Sequence, residues 1–149
     1  MIFPQIRCYQ PNMPLQSHVF YIMCKGNHAG KPSLKPWANS FAVSCQNLQY
    51  FNFYYWLVYA LFRTNKFKLR LRGSVIPFIN IDDVRDLIGE MAPVVYPDWS
   101  KFQELVNTLN KFENLKSTLE QQIISSERLQ NSLLQQYFMA GHKPSGFTN

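Results

Sequence analysis

Four cations fall within seven residues of the chain: Lys66, Lys68, Arg70 and Arg72. They alternate strictly with Phe67, Leu69 and Leu71. In an extended strand that alternation makes one cationic face and one apolar face. A short helix would instead spread the charge around its circumference. Either form can neutralise phosphate groups, releasing counterions and making affinity strongly salt-dependent. A solvated edge strand guarded by its own charges has the same composition. A second basic group, Lys25, Lys31 and Lys35, shares a loop-like stretch with Gly26, Gly30, Pro32, Trp37 and Asn39. Glycine lets a backbone approach another molecule closely, and lysine suits phosphate. An ordinary hairpin-like connection with solvated lysines reads the same way.

Catalytic patterns are missing. His18, His28 and His142 are far apart, and the sequence has no HExxH, no Cys/His zinc spacing, no GxSxG and no dinucleotide fingerprint. Gly30-Lys31 is followed by Pro32, which breaks the phosphate-loop pattern. Cys24, His28 and Cys45 could meet only in space. Adjacent Asp82 and Asp83 point different ways on a helix and suit its first turn better than a metal. The expectation is a protein that is not an enzyme and takes no metal and no cofactor.

Charge divides the chain. Residues 1–81 hold nine Lys/Arg and no Asp or Glu, whereas residues 82–149 hold six Lys/Arg and nine Asp/Glu. The net charge of +6 points to an acidic partner, nucleic acid before an anionic membrane. The most apolar run, Tyr50 to Phe62, is too short for the roughly 20 residues that span a bilayer. Three cysteines without CxxC spacing make no disulfide framework. Met1-Ile2-Phe3-Pro4 opens no signal-peptide pattern. A cytoplasmic protein with no membrane attachment is expected.

The elements that must position these cations can be read in order. Residues 1–45 are β-rich and loop-rich, with strands expected at 18–24 and 40–45. Residues 47–63 should form a helix whose aromatic residues are core, with a base-stacking platform as the alternative. Val75 to Ile79 is β-prone, and Pro77 confines it to an edge. Asn80 should cap a helix that Gly89 ends. A linker with Pro93 and Pro97 follows, and Asp98, or Ser100 with Gln103, can cap the next helix. From Trp99 to Phe138 there is neither Pro nor Gly, and Phe102, Leu105, Leu109, Phe112, Leu119, Ile123, Leu133 and Tyr137 recur in alternating steps close to a heptad. Lys116, Ser126 and Gln130 interrupt that seam. Some 40 residues of helix make a rod of roughly 60 Å, which needs a partner helix or a fold-back near Ser125-Ser126. The fold class is therefore α+β: a small mixed α/β recognition domain over 1–97, a long C-terminal coiled-coil-like helix over 98–140, and a flexible tail over 141–149.

From Gln46 onward the order of features resembles the target-recognition domain and following helix of type I restriction–modification specificity subunits. A tyrosine-rich helix precedes a cationic segment. Gly73-Ser74-Val75-Ile76-Pro77-Phe78-Ile79-Asn80 then leads into Asp82-Asp83-Val84-Arg85-Asp86-Leu87, a proline-containing linker, and a long helix with Glu120-Gln121-Gln122-Ile123-Ile124-Ser125-Ser126-Glu127-Arg128-Leu129-Gln130. Gly30-Lys31-Pro32 and Asn39-Ser40-Phe41-Ala42-Val43 look like that family's glycine-containing turn and strand. The chain is also similar to small bacterial mobile-element proteins that share the Gly-Lys-Pro loop and the Gly-Ser-Val-Ile-Pro-Phe-Ile core. The resemblance implies a domain that reads double-stranded DNA through basic loops, and a helix that pairs antiparallel with a second copy. Specificity subunits carry two such domains and two helices in one chain; here there is one of each. A domain shorter than usual and an unmatched N-terminal opening are departures from that pattern. The expected partners are double-stranded DNA, a homodimer or other partner helix, and restriction–modification subunits. The competing expectation is a protein-interaction module that joins or blocks such a complex without touching DNA.

Overall fold

The structure, a computed structural model, describes residues 1–12, 14 and 17–140 of the chain. The expected tail at 141–149 lies outside the described residues. The fold is α+β. Strands β1 (Gln5–Cys8), β2 (Val19–Met23), β3 (Pro32–Ser33) and β4 (Ser40–Ser44) form one antiparallel sheet in the order β1-β4-β2-β3. The register sets Val43 opposite Ile6 and Phe20, and Phe41 opposite Ile22. These five apolar side chains share one face of the sheet, and all are buried. Helix α1 (Leu48–Arg63) packs on β2 and β3, and helix α2 (Ile81–Val95) packs on β1.

The start of α1 is fixed by Asn47, whose side-chain oxygen accepts a hydrogen bond from the Tyr50 amide at 2.9 Å. Its end is fixed by Asn65 at φ 59°. The Asn65 amide donates to the Phe62 carbonyl and the Lys66 amide to the Leu61 carbonyl, the paired bonds of a Schellman motif. This reversal rules out an extended strand through the cationic cluster. Phe67–Arg70 instead form a 3₁₀ turn. Phe67 is fully buried while Leu69 is 85% exposed, so the alternating apolar residues do not share a face.

Four expectations need correction. Val75 to Ile79 contains no strand; Phe78 alone makes isolated bridges, to Lys25 and to Arg72. Asn80 stands at the N-cap of α2, yet its side chain makes no capping bond. Gly89 does not end α2, and the supposed linker is helical. The row Val84, Leu87, Ile88 and Ala92 is buried, and that outweighs the roughly 1 kcal/mol cost of an internal glycine. Pro93 also lies inside α2 and cannot supply a hydrogen bond to the Gly89 carbonyl. A 3₁₀ turn, Tyr96–Asp98, then leads directly into α3 (Trp99–Ala140), so Ser100 lies inside the helix and Asp98 is the residue that precedes it.

An aromatic cluster holds this junction. Phe53 meets Tyr96 edge-on at 5.2 Å between ring centroids, Trp99 at 5.3 Å and Phe102 at 5.7 Å. Tyr50 stacks on Tyr96, and the Tyr54 hydroxyl donates to the Ile2 carbonyl. Burial pushes the Tyr54 phenol well above its ordinary range, and its hydrogen bond with Tyr50 pushes Tyr96 up. Phe53 and Tyr54 are thus core, while Tyr50, Phe51, Tyr55, Trp56 and Tyr59 are half-buried.

The chain divides into two compact units, one ending at Phe102 and the other starting at Gln103. In the second, α3 runs without interruption past Ser125-Ser126. Leu105, Phe112, Leu119, Ile123, Leu133 and Tyr137 are exposed, and Leu109 is half-buried. Among the described residues no helix is long and apolar enough to cross a membrane.

The left-handed Asn65 gives a direct test of the turn that places the cations. Asn65→Gly should retain or raise stability by up to about 1 kcal/mol, whereas Asn65→Val should lose about 1–2 kcal/mol, both measured by urea unfolding.

Candidate nucleic-acid interface

Two backbone arrangements bring the basic segments together. The first is a close approach. Gly30, at φ 93°, sits so near the Phe67 ring that a Cβ on residue 30 would lie 2.7 Å from three Phe67 side-chain atoms. The loop carrying Gly30 closes on itself: the Gly30 amide donates to Met23, Met23 donates to Lys31, and Ala29 donates to Gly26. Lys31 therefore follows directly on the residue that touches Phe67, while Lys66 and Lys68 flank Phe67 itself.

The second arrangement is a small ladder. Lys25 and Arg72 each pair antiparallel with Phe78, from its two sides. Arg72 and Phe78 exchange both amide bonds at 2.9 and 2.8 Å, the Ile79 amide donates to Cys24, and the Gly26 amide donates to Pro77. Residues directly opposite in a ladder project to the same side, so Lys25 and Arg72 flank Phe78, roughly 10 Å apart at their Cα atoms. The loop between Arg72 and Phe78 exposes Val75 and Ile76.

The predicted cations are not equivalent. Arg70 pairs with Glu90 at 2.9 Å, and Arg72 pairs with Asp83 at 3.2 Å. Both therefore fasten the turn to α2, at about 0–1 kcal/mol for each exposed pair. Lys25, Lys31, Lys66 and Lys68 are exposed and make no ion pair among the described residues. Lys35 is separate from this group. The Ser33 hydroxyl donates to its carbonyl, and its neighbours Leu34 and Pro36 line a different hollow, of about 600 Å³, on the outer sheet face with Tyr9 and Tyr21.

Between the basic loop and the basic turn lies a cavity of about 520 Å³. Its lining includes Asn27 and Asn65, together with Lys68, Phe62, Leu71 and Pro77. The two asparagines were not singled out in the sequence. Asn27 follows a turn glycine, and Asn65 needed the left-handed helix stop to be recognised. The carboxamides and the lysine supply hydrogen-bond donors that suit phosphate or base edges.

The residues considered for a metal or nucleophile do not assemble. No group of three His, Cys, Asp or Glu able to hold a metal occurs among the described residues. His28 is exposed, and Cys45 is buried with its thiol pushed up to about 12 by desolvation. Asp82 pairs with Arg85, which also donates to the Ile6 carbonyl and so ties α2 to β1.

The glycine contact carries a mutational test. Gly30→Ala meets both an unfavourable backbone and the immovable Phe67, and should cost about 2–4 kcal/mol. Gly26→Ala, also at positive φ but with nothing within 4 Å of the new Cβ, should cost only about 1–2 kcal/mol. Urea unfolding of both variants separates the contact from the backbone effect.

Comparison with known proteins adds a family. No curated protein and no solved structure matches the chain. The family model described as Family of unknown function (DUF6943) matches residues 6–136, which takes in the basic loop, the basic turn and nearly all of α3. The protein therefore belongs to the DUF6943 family.

Proposed function

We propose that this protein binds double-stranded DNA without catalysing a reaction, as a dimer joined through α3, in the manner of half a type I specificity subunit. The observation that carries the reading is the meeting of two basic segments, distant in sequence, at the contact between Gly30 and Phe67. Lys25, Lys31, Lys66 and Lys68 are the phosphate-contacting residues in this reading. Arg72 serves both the face and the pair with Asp83, and Arg70 is chiefly structural. Long lysine side chains without a fixed partner suit phosphate contacts that position a duplex without reading its sequence. The Asn27 and Asn65 amides, at the cavity between the two segments, are the candidates for base-edge contacts. The order of motifs shared with specificity subunits adds to this support.

The exposed apolar row of α3 favours one alternative: an interaction module that joins or blocks a restriction–modification complex through that helix alone.

A salt titration distinguishes the two. The wild-type protein should bind duplex DNA with an affinity that falls steeply with salt. Lys66→Glu with Lys68→Glu should weaken binding at least tenfold and flatten the log–log salt slope by about 2 units. Unchanged binding in that variant would remove the basic turn from the interface. A wild-type protein with no duplex affinity at low salt would leave the interaction module standing.

A further inference from the structure

The orientation in which two copies of α3 pair can be read from the positions of its charges. This deepens the dimer reading above and rests on it. In the heptad of α3, Leu109, Lys116, Ile123, Gln130 and Tyr137 occupy one seam position, a, and Leu105, Phe112, Leu119, Ser126 and Leu133 the other, d. Phe102 is already committed to the core of the first unit through Phe53, so the free seam begins at Leu105. The flanking e positions hold Val106, Glu113, Glu120, Glu127 and Leu134, and the opposite g flank holds Thr108, Leu115, Gln122, Leu129 and Gln136. One flank is therefore acidic and the other uncharged.

Flank composition decides the pairing. In an antiparallel pair each e flank faces the other e flank. Every register that overlaps most of the helix then sets glutamate against glutamate: Glu113 against Glu127 and Glu120 against its own copy, or Glu113 against Glu120, or Glu120 against Glu127. In a parallel pair the e flank faces the g flank. Glu113 then meets Thr108, Glu120 meets Leu115, and Glu127 meets Gln122, with no like-charge contact along the flanks.

The interruptions in the seam set the register. With two copies aligned in register, Lys116, Ser126 and Gln130 each face their own counterpart, and polar groups meet polar groups. A slip of one heptad puts Lys116 against Leu109 or Ile123, and Gln130 against Ile123 or Tyr137. Lys116 facing its own copy is the one like-charge contact this arrangement leaves, against two or more glutamate contacts in the antiparallel one, and the exposed pair that Lys116 makes with Glu120 at 3.9 Å offsets either only slightly. Polar residues at such seam positions fix register and strand number.

We infer that α3 pairs with a second copy of itself in parallel and in register, through Leu105, Phe112, Leu119, Ile123 and Leu133. This is the reverse of the antiparallel pairing that the specificity-subunit resemblance implies. Both copies of residues 1–102 are then joined to the same end of the paired helices.

The test uses the full chain with Cys8→Ser, which removes the exposed native thiol, and Ser126→Cys at the polar seam position. Mild oxidation followed by non-reducing electrophoresis reads the outcome, with light scattering for the oligomer. The expected result is a dimer that converts largely to a disulfide-linked form, whereas Cys8→Ser alone does not. A monomer at tens of micromolar overturns the inference and removes the dimer from the functional reading as well. A dimer that fails to link at Ser126, or that links instead when Leu109→Cys and Leu133→Cys subunits are mixed, overturns the parallel pairing alone. Neither result bears on duplex binding by the first unit.

Discussion

The structure depends on one close approach, the backbone of Gly30 against the ring of Phe67. Each side constrains the other. Phe67 is fully buried and contributes about 2–3 kcal/mol of apolar burial, so it cannot move aside for a larger neighbour. Residue 30 must adopt positive φ and present no side chain, which only glycine does without cost. The contact joins a loop near the sheet to a turn beyond the first helix. Together with the ladder through Phe78, it brings Lys31 beside Lys66 and Lys68.

Around that contact the cations divide into two kinds. Arginines at 70 and 72 reach α2, where Glu90 and Asp83 meet them, and so draw the turn onto the second helix. The guanidinium fork suits this, because it holds a carboxylate in fixed geometry. The lysines at 66 and 68 lie on the same turn and keep their charge exposed. The acidic residues that begin at Asp82 thus do not simply cancel the basic half of the chain. They neutralise the arginines that build the turn and leave the lysines available.

Much of this was legible in the sequence. The dense aromatic run at 47–63 was read as a helix, which α1 is, and the structure adds the Asn47 cap at its start. The 18–24 and 40–45 strands followed from apolar, β-prone composition. The row Val84, Leu87, Ile88 and Ala92 was also present in the sequence, but Gly89 and Pro93 were given more weight than buried packing allows. The alternation at 66–72 left strand and short helix both open, for a different reason. Period-two patterning assumes an extended chain, and a left-handed asparagine one residue upstream removes that assumption. The division of labour between arginine and lysine was not legible at all. It depends on pairing across 11 and 20 residues of sequence, which no local pattern encodes.

The account's central claim is that the loop at 24–31 and the turn at 66–72 form a single surface for duplex DNA. Amide hydrogen exchange of the full chain, with and without a duplex at low salt, tests it most directly. The account predicts that DNA slows exchange in both segments together and leaves the exposed length of α3 beyond Phe112 unchanged. Protection of only one segment, or of α3 alone, would contradict it.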